Sequence, residues 1–119
     1  MSEATAKPAV FLVRAEVRDD LRDDFDHWYE TDHLPLVITT LGAKSGRRCW
    51  SVTSPGVHFA EYEFDDLDSL VRMVGSPKLQ PLLDEFDSRW PEGVVRTREI
   101  LEPAGETQSG ESLQENTGG

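Results

Sequence analysis

Cysteine occurs once in the 119 residues, at Cys49. An intrachain disulfide is therefore impossible, and a thiolate zinc cluster from this chain alone is excluded. Positive charge is scarce as well: 12 Lys and Arg face 23 Asp and Glu, a formal net charge of −11. Phosphate backbones are gripped by clustered Lys and Arg, so nucleic acid is not an expected partner. The excess acid reads first as a solubility device. No apolar run approaches the ~20 residues of a membrane span, and residues 1–7 lack the apolar segment of a secretory signal. The expectation is a cytoplasmic protein without a membrane partner. A Gly-rich phosphate loop and a Gly-x-Ser-x-Gly elbow are both missing. What is present, 37% hydrophobic and 8% aromatic residues, is adequate for one core but leaves little spare.

The most informative stretch runs from Asp19 to Gly42. Leu21, Phe25 and Trp28 recur at i, i+4 and i+7, giving an amphipathic helix one apolar stripe. Asp19 or Asp20 is expected to cap it, and Pro35 to end it while pushing Leu34 out of the helical region. His33 then lies at or just past a helix end, and i, i+4 spacing sets it beside Tyr29 at the core edge. Leu34–Leu41 is expected as a further short helix stopped by Gly42.

Around this stretch the chain reads as alternating strands and helices. Ala9–Val17 alternates as a strand, as do residues 43–53 and Val57–Phe64, the last two joined by a Ser54-Pro55-Gly56 turn. Asp65 or Asp66 caps a helix to Val74. Ser76 at N-cap and Pro77 at N1 open another with Leu79, Leu82, Leu83, Phe86 and Trp90 at helical spacing. Val94–Leu101 is a fourth strand. Residues 1–8 read as a flexible lead, 9–102 as one domain, and 103–119 as a disordered acidic tail too poor in apolar residues to order itself.

The order β-α-β-β-α-β is that of the ferredoxin-like fold, an α+β fold with a four-stranded antiparallel sheet and helices on one face. The other face mixes Val10, Leu12, Val57 and Phe59 with Arg14, Glu16, Glu61 and Glu63. It is too apolar for water and too charged for a dry core, which suits a homodimer interface. Which face carries Trp50 stays open.

Here the chain resembles the dimeric α+β barrel superfamily, and within it small bacterial proteins of the EthD-like kind. The resemblance rests on the strand Phe11 to Val17, on Phe25-Asp26-His27-Trp28-Tyr29, on Asp32-His33-Leu34-Pro35, and on Glu85-Phe86-Asp87-Ser88-Arg89-Trp90 followed by Arg96-Thr97-Arg98-Glu99. It implies two ferredoxin-like protomers packed sheet to sheet. The superfamily contains monooxygenases, lactone isomerases, polyketide cyclases, haem enzymes and plain binding modules, so fold analogy does not select an activity.

His33 is the candidate catalytic residue, because imidazole titrates near neutrality and can move a proton to or from a bound molecule. The alternative role is structural, with the ring capping a helix end or bonding a carbonyl. Tyr29, Trp50, Tyr62 and Arg48 are the candidate substrate-binding residues, although packing is the favoured role for Trp50 and Tyr62 over a stacking platform. Arg48, Arg96 and Arg98 are expected to pair with Glu61 and Glu63 across strands; recognition of an anionic substrate by one of them is the alternative. Glu30 and His33 have the i, i+3 spacing of di-metal bundles without the further carboxylates, so neither a metal site nor a cofactor is expected. A haem ligated by His33 or His58 ranks last. The reading is a cofactor-independent enzyme of monooxygenase, isomerase or cyclase type acting on a small organic molecule. The alternative is a non-catalytic small-ligand-binding or dimerisation module.

Overall fold

The computed structural model describes residues 7–105 and 107. Four strands, β1 (Ala9–Val17), β2 (Ser45–Trp50), β3 (Val57–Phe64) and β4 (Val94–Leu101), form one antiparallel sheet in the order β2-β3-β1-β4. Helices α1 (Arg22–Trp28), α2 (Leu34–Leu41), α3 (Leu67–Val74) and α4 (Leu79–Arg89) connect them. The fold is the ferredoxin-like α+β fold, with helices on one face of the sheet. The tail expected over 103–119 and the lead expected over 1–8 lie largely outside the described residues. Among the described residues, no helix is long and apolar enough to cross a membrane.

Strand alternation fixes which residues meet the helices. Phe11 lies opposite Tyr62, Val13 opposite Ala60 and Ala15 opposite His58, and all of these are buried. The same register sets Arg48 beside Ala60 and Trp50 beside His58, so both belong to the helix side. Trp50 is therefore excluded from the outer face. The expected cross-strand arginine network is corrected on the same ground. Among the described residues only Arg47 pairs with Glu61, at 2.9 Å on the outer face, whereas Arg48 and Arg96 point inward to helix carboxylates.

The helices answer that face. Phe25 is fully buried among Trp28, Tyr29, Trp50, His58, Phe86 and Trp90, with ring centroids 5.1–6.1 Å away. Burying a ring of this kind stabilises the fold by roughly 1.5–3 kcal/mol relative to exposure. In α4, Leu79, Leu82 and Phe86 follow the i, i+3, i+7 stripe and are buried. Asp66 caps α3 by accepting from the Ser69 amide at 2.7 Å, and Gly42 ends α2 with φ +73°, where a side chain would be strained.

Four local expectations fail. Asp19 and Asp20 make no cap; they pair with Arg22 and Arg18 instead, whose guanidiniums outbid the helix amides. Ser76 is not the N-cap of α4, because its hydroxyl donates to the Met73 carbonyl and α4 begins at Leu79. The second strand spans only Ser45–Trp50. Most consequentially, Pro35 does not end the helix. Tyr29–His33 forms one π-helical turn in which the Leu34 amide donates to the Tyr29 carbonyl, and Leu34 stays helical at φ −60°, ψ −50°. Pro35 then occupies the second position of α2, where no amide is demanded.

Candidate functional site

The π-helical turn determines where His33 goes. Its wider pitch makes both i+4 and i+5 residues neighbours. The His33 ring stacks on Trp28 at 4.5 Å with planes 17° apart and meets Tyr29 edge-on at 5.0 Å. Phe86 of α4 closes a third side at 5.6 Å. The residue is 5% exposed. Its Nδ1 lies 3.2 Å from Glu85 Oε1. An ionised carboxylate can only accept, so Nδ1 carries the proton and Nε2 presents its lone pair. Burial pulls the His33 pKa below its ordinary value more strongly than Glu85 raises it, and the charge of Arg96 lowers it further. At neutral pH the ring is an uncharged base.

His33 lines a cavity between sheet and helices. Phe11, Val13, Val37, Leu79, Leu82 and Phe86 make its apolar walls, and Tyr29, Tyr62, Arg96 and Arg98 add the polar atoms. Its empty space is about 310 Å³ counting the open mouth, but only about 20 Å³ could hold the centre of a water molecule. That admits roughly one water; an organic ligand would have to displace side chains at the mouth. Tyr62 donates to the Tyr29 hydroxyl at 3.2 Å, which leaves the Tyr29 proton for another acceptor. Burial pushes Tyr29 up to about 12, so that proton stays on at any ordinary pH. Arg96 Nη2 forms an ion pair with Asp87 at 3.1 Å and the guanidinium lies over the Phe86 ring at 4.4 Å, while its buried Nη1 has no partner.

A second polar cluster sits on the far side of Tyr29. Asp26 Oδ1 accepts from Trp50 Nε1 at 2.7 Å and from Arg48 Nη1 at 2.9 Å. Arg48 Nη1 also reaches His58 Nε2 at 3.3 Å, and since a guanidinium only donates, His58 carries its proton on Nδ1. Burial, helped by the Arg48 charge, lowers the His58 pKa to about 4.

The five candidate residues from the sequence are thus divided. His33, Tyr29 and Tyr62 share the cavity, whereas Trp50 and Arg48 belong to the second cluster and do not line it. Arg98 and Arg96, expected as strand partners, stand at the cavity instead. Glu85 escaped notice because it is 52 residues from His33 and no spacing connects them. The one available signal was its place beside Phe86 on the border of the α4 stripe. Among the described residues no group of three or more His, Cys, Asp or Glu could hold a metal ion.

No family model and no curated protein matches the chain. Solved structures do. An EthD family protein from Bacillus halodurans superposes with a TM-score of 0.61 at 20% identity, covering 81% of this chain and 99% of its own. A variant of SnoaB, a cofactor-independent oxygenase from Streptomyces nogalater, gives 0.63 at 14% identity over 86% and 97%. A NIPSNAP family protein from Agrobacterium tumefaciens gives 0.62 at 10% identity over 90% and 95%. At these identities the chain shares the fold of these proteins. The α+β fold implied by the EthD-like resemblance is the fold found.

Proposed function

We propose that the cavity beneath His33 binds a small, largely apolar organic molecule and that the protein acts on it by proton transfer without a cofactor. The observation that carries the reading is the His33–Glu85 pair at the cavity wall. The pair fixes the tautomer, leaves Nε2 as the base, and holds the ring against Trp28 so that it meets a ligand without reorganising. His33 is buried while the Glu85 side chain is 41% exposed, so the carboxylate links the imidazole to solvent and gives the proton a way out. Tyr29 and Tyr62 serve as walls. The reaction class is that of a monooxygenase, isomerase or cyclase. The fold neighbour described as a cofactor-independent oxygenase supports this, since it shows that such a fold can host chemistry of the kind.

The second reading is a binding module with the same cavity and no turnover. The cavity's mainly apolar lining favours it, because binding alone needs apolar walls and no ionisable group against the ligand. Untargeted mass spectrometry of small molecules incubated with the protein separates the two. As an enzyme, wild type depletes a compound that His33→Gln converts ~10²–10⁴-fold more slowly, the usual range for a lost acid/base group. If both proteins retain the same compound and neither converts it, the enzyme reading fails and the module stands.

The proposal includes a second copy of the chain on the helix-free sheet face. Val95 and Leu101 are 63% and 40% exposed there, alongside Leu12 and Phe59. The face also carries Arg14 with Glu16 and Arg47 with Glu61, charges of both signs that a two-fold axis can bring together. Light scattering should give twice the chain mass at micromolar concentration; a monomer there would refute the interface.

A further inference from the structure

Arg96 is an anomaly in a chain of net charge −11. It leaves the sheet edge on the helix side, opposite Ala15, and its guanidinium is held from two directions. The Asp87 carboxylate lies 3.1 Å from Nη2 as an ion pair and the Phe86 face lies 4.4 Å from Cζ. Those contacts account for its position and leave Nη1 buried with no acceptor. An unsatisfied buried donor on a charged group is costly, a cost that an acceptor bound in the cavity that Arg96 lines would remove.

The surroundings narrow what else would fit. Arg98, two residues on along the same face of β4, also lines the cavity and has no ion-pair partner among the described residues. Tyr29 offers a second unpaired donor, and Tyr29, His33 and Arg96 all line the same small cavity. Everything else at the wall is aliphatic or aromatic. A broader groove shares Phe11, Arg96 and Arg98 with the cavity and continues past Val74, Thr97, Glu99 and Ile100, which gives room for the remainder of a larger ligand.

Resting on the reading that the cavity is the ligand site, we propose that Arg96 and Tyr29 form an oxyanion subsite. The ligand class is then an apolar organic molecule bearing one anionic oxygen, a carboxylate, phenolate or enolate, turned toward Arg96 Nη1. For an enolisable carbonyl compound the chemistry balances within the chain. The C–H bond breaks, its proton goes to His33 Nε2, its electron pair forms the C=C bond, and the carbonyl π pair moves onto the oxygen facing Arg96. Return of the proton to another carbon gives an isomer with no oxidant or reductant consumed. Arg96 is thereby a catalytic residue, since it touches the atom on which charge develops.

The test uses benzoate, its neutral counterpart benzamide, and 4-nitrophenol, whose ionisation is visible in its absorbance. Equilibrium dialysis on the intact protein should show benzoate binding about 10- to 100-fold tighter than benzamide, the worth of one or two charge-assisted hydrogen bonds. Bound 4-nitrophenol should be shifted toward phenolate. Arg96→Met should erase both preferences by weakening benzoate far more than benzamide, and Arg96→Lys should restore part of them. Benzoate preference without a phenolate shift assigns the subsite to carboxylates; both effects together extend it to phenolates and enolates. Equal binding of benzoate and benzamide to wild type overturns the subsite and leaves the cavity standing as a ligand site. Saturable binding of none of the three overturns the ligand-site reading and the subsite with it. The wild-type comparison alone decides the matter if Arg96→Met fails to fold.

Discussion

His58 and His33 both lie against Tyr29, with ring centroids 4.7 and 5.0 Å from its own, and each is hydrogen-bonded to a charged side chain. In the His58 cluster the bonds close on one another. Trp50 Nε1, Arg48 Nη1 and His58 Nε2 all find partners through Asp26 and Arg48, and none of these residues lines the His33 cavity. In the His33 cluster the bonds stop short, with His33 Nε2, the Tyr29 proton and Arg96 Nη1 left over on residues that line a cavity. The same residue types thus serve two purposes. A closed buried network fixes a packing arrangement. An incomplete one beside a cavity implies that something else completes it.

The largest effect that distinguishes the two is acid sensitivity at His58. Its pKa falls from 6.5 unfolded to about 4 folded, chiefly because burial disfavours the imidazolium, with Arg48 adding repulsion and Asp26 opposing it. Between those values the unfolded chain binds the extra proton, so stability rises with pH across the window and is lost as pH falls through it. The contribution is roughly 3 kcal/mol, complete above about pH 6.5 and gone by about pH 4. Urea unfolding at stepped pH should show this slope in wild type and a flatter one in His58→Gln. An equal slope in both would mean that His58 is not held neutral, and the cluster would not be closed.

Next in size is removal of the carboxylate at the centre of that cluster. Asp26→Ala takes the acceptor from Trp50 and from Arg48, whose side chain is 16% exposed. Asp26 is itself 40% exposed, which lets water repair part of the damage, so the expected loss is about 2 kcal/mol. Ligand binding in the cavity should not change, because Asp26 does not line it. A variant with unchanged urea midpoint but altered benzoate binding would reverse the roles assigned to the two clusters.

How much of this was legible in the sequence depended on whether a residue's position follows from local periodicity. The strands showed their alternation, and β3 showed it so clearly that His58, Ala60, Tyr62 and Phe64 could be grouped on one face at once. β2 could not be oriented alone, since arginines fall on both of its faces. Pairing Trp50 with His58 through the hairpin would have turned it inward. The contact of Tyr29 with His33 followed from i, i+4 spacing, and the 5.0 Å separation agrees with it. The stack of Trp28 on His33 did not, because i, i+5 neighbours exist only in a π-helical turn and nothing in the residue types announces one. Glu85 and Arg96 reach the site from α4 and β4 through tertiary packing, which no one-dimensional pattern encodes.

The smallest expected effect concerns Pro35, whose misreading as a helix end concealed that turn. Two causes could hold Tyr29–His33 in the π-helical form. The proline could impose it, since its ring would crowd the carbonyl four residues back in a regular helix. Alternatively the packing could hold it, with Trp28 and Tyr29 buried and His33 tied to Glu85 across to α4. The second cause is favoured by number: three buried rings and a hydrogen bond against one steric contact. Pro35→Ala should then leave the turn in place. It should lower stability by about 0.4–1 kcal/mol, because a more flexible unfolded chain loses more entropy on folding. The His33 ring protons, shifted by the stacked Trp28, are the sensitive readout in an NMR spectrum. If they keep their shifts in Pro35→Ala, packing positions the base. If they move toward free-imidazole values while stability rises, the proline positions it, and the distinction between the two clusters would rest on one backbone constraint.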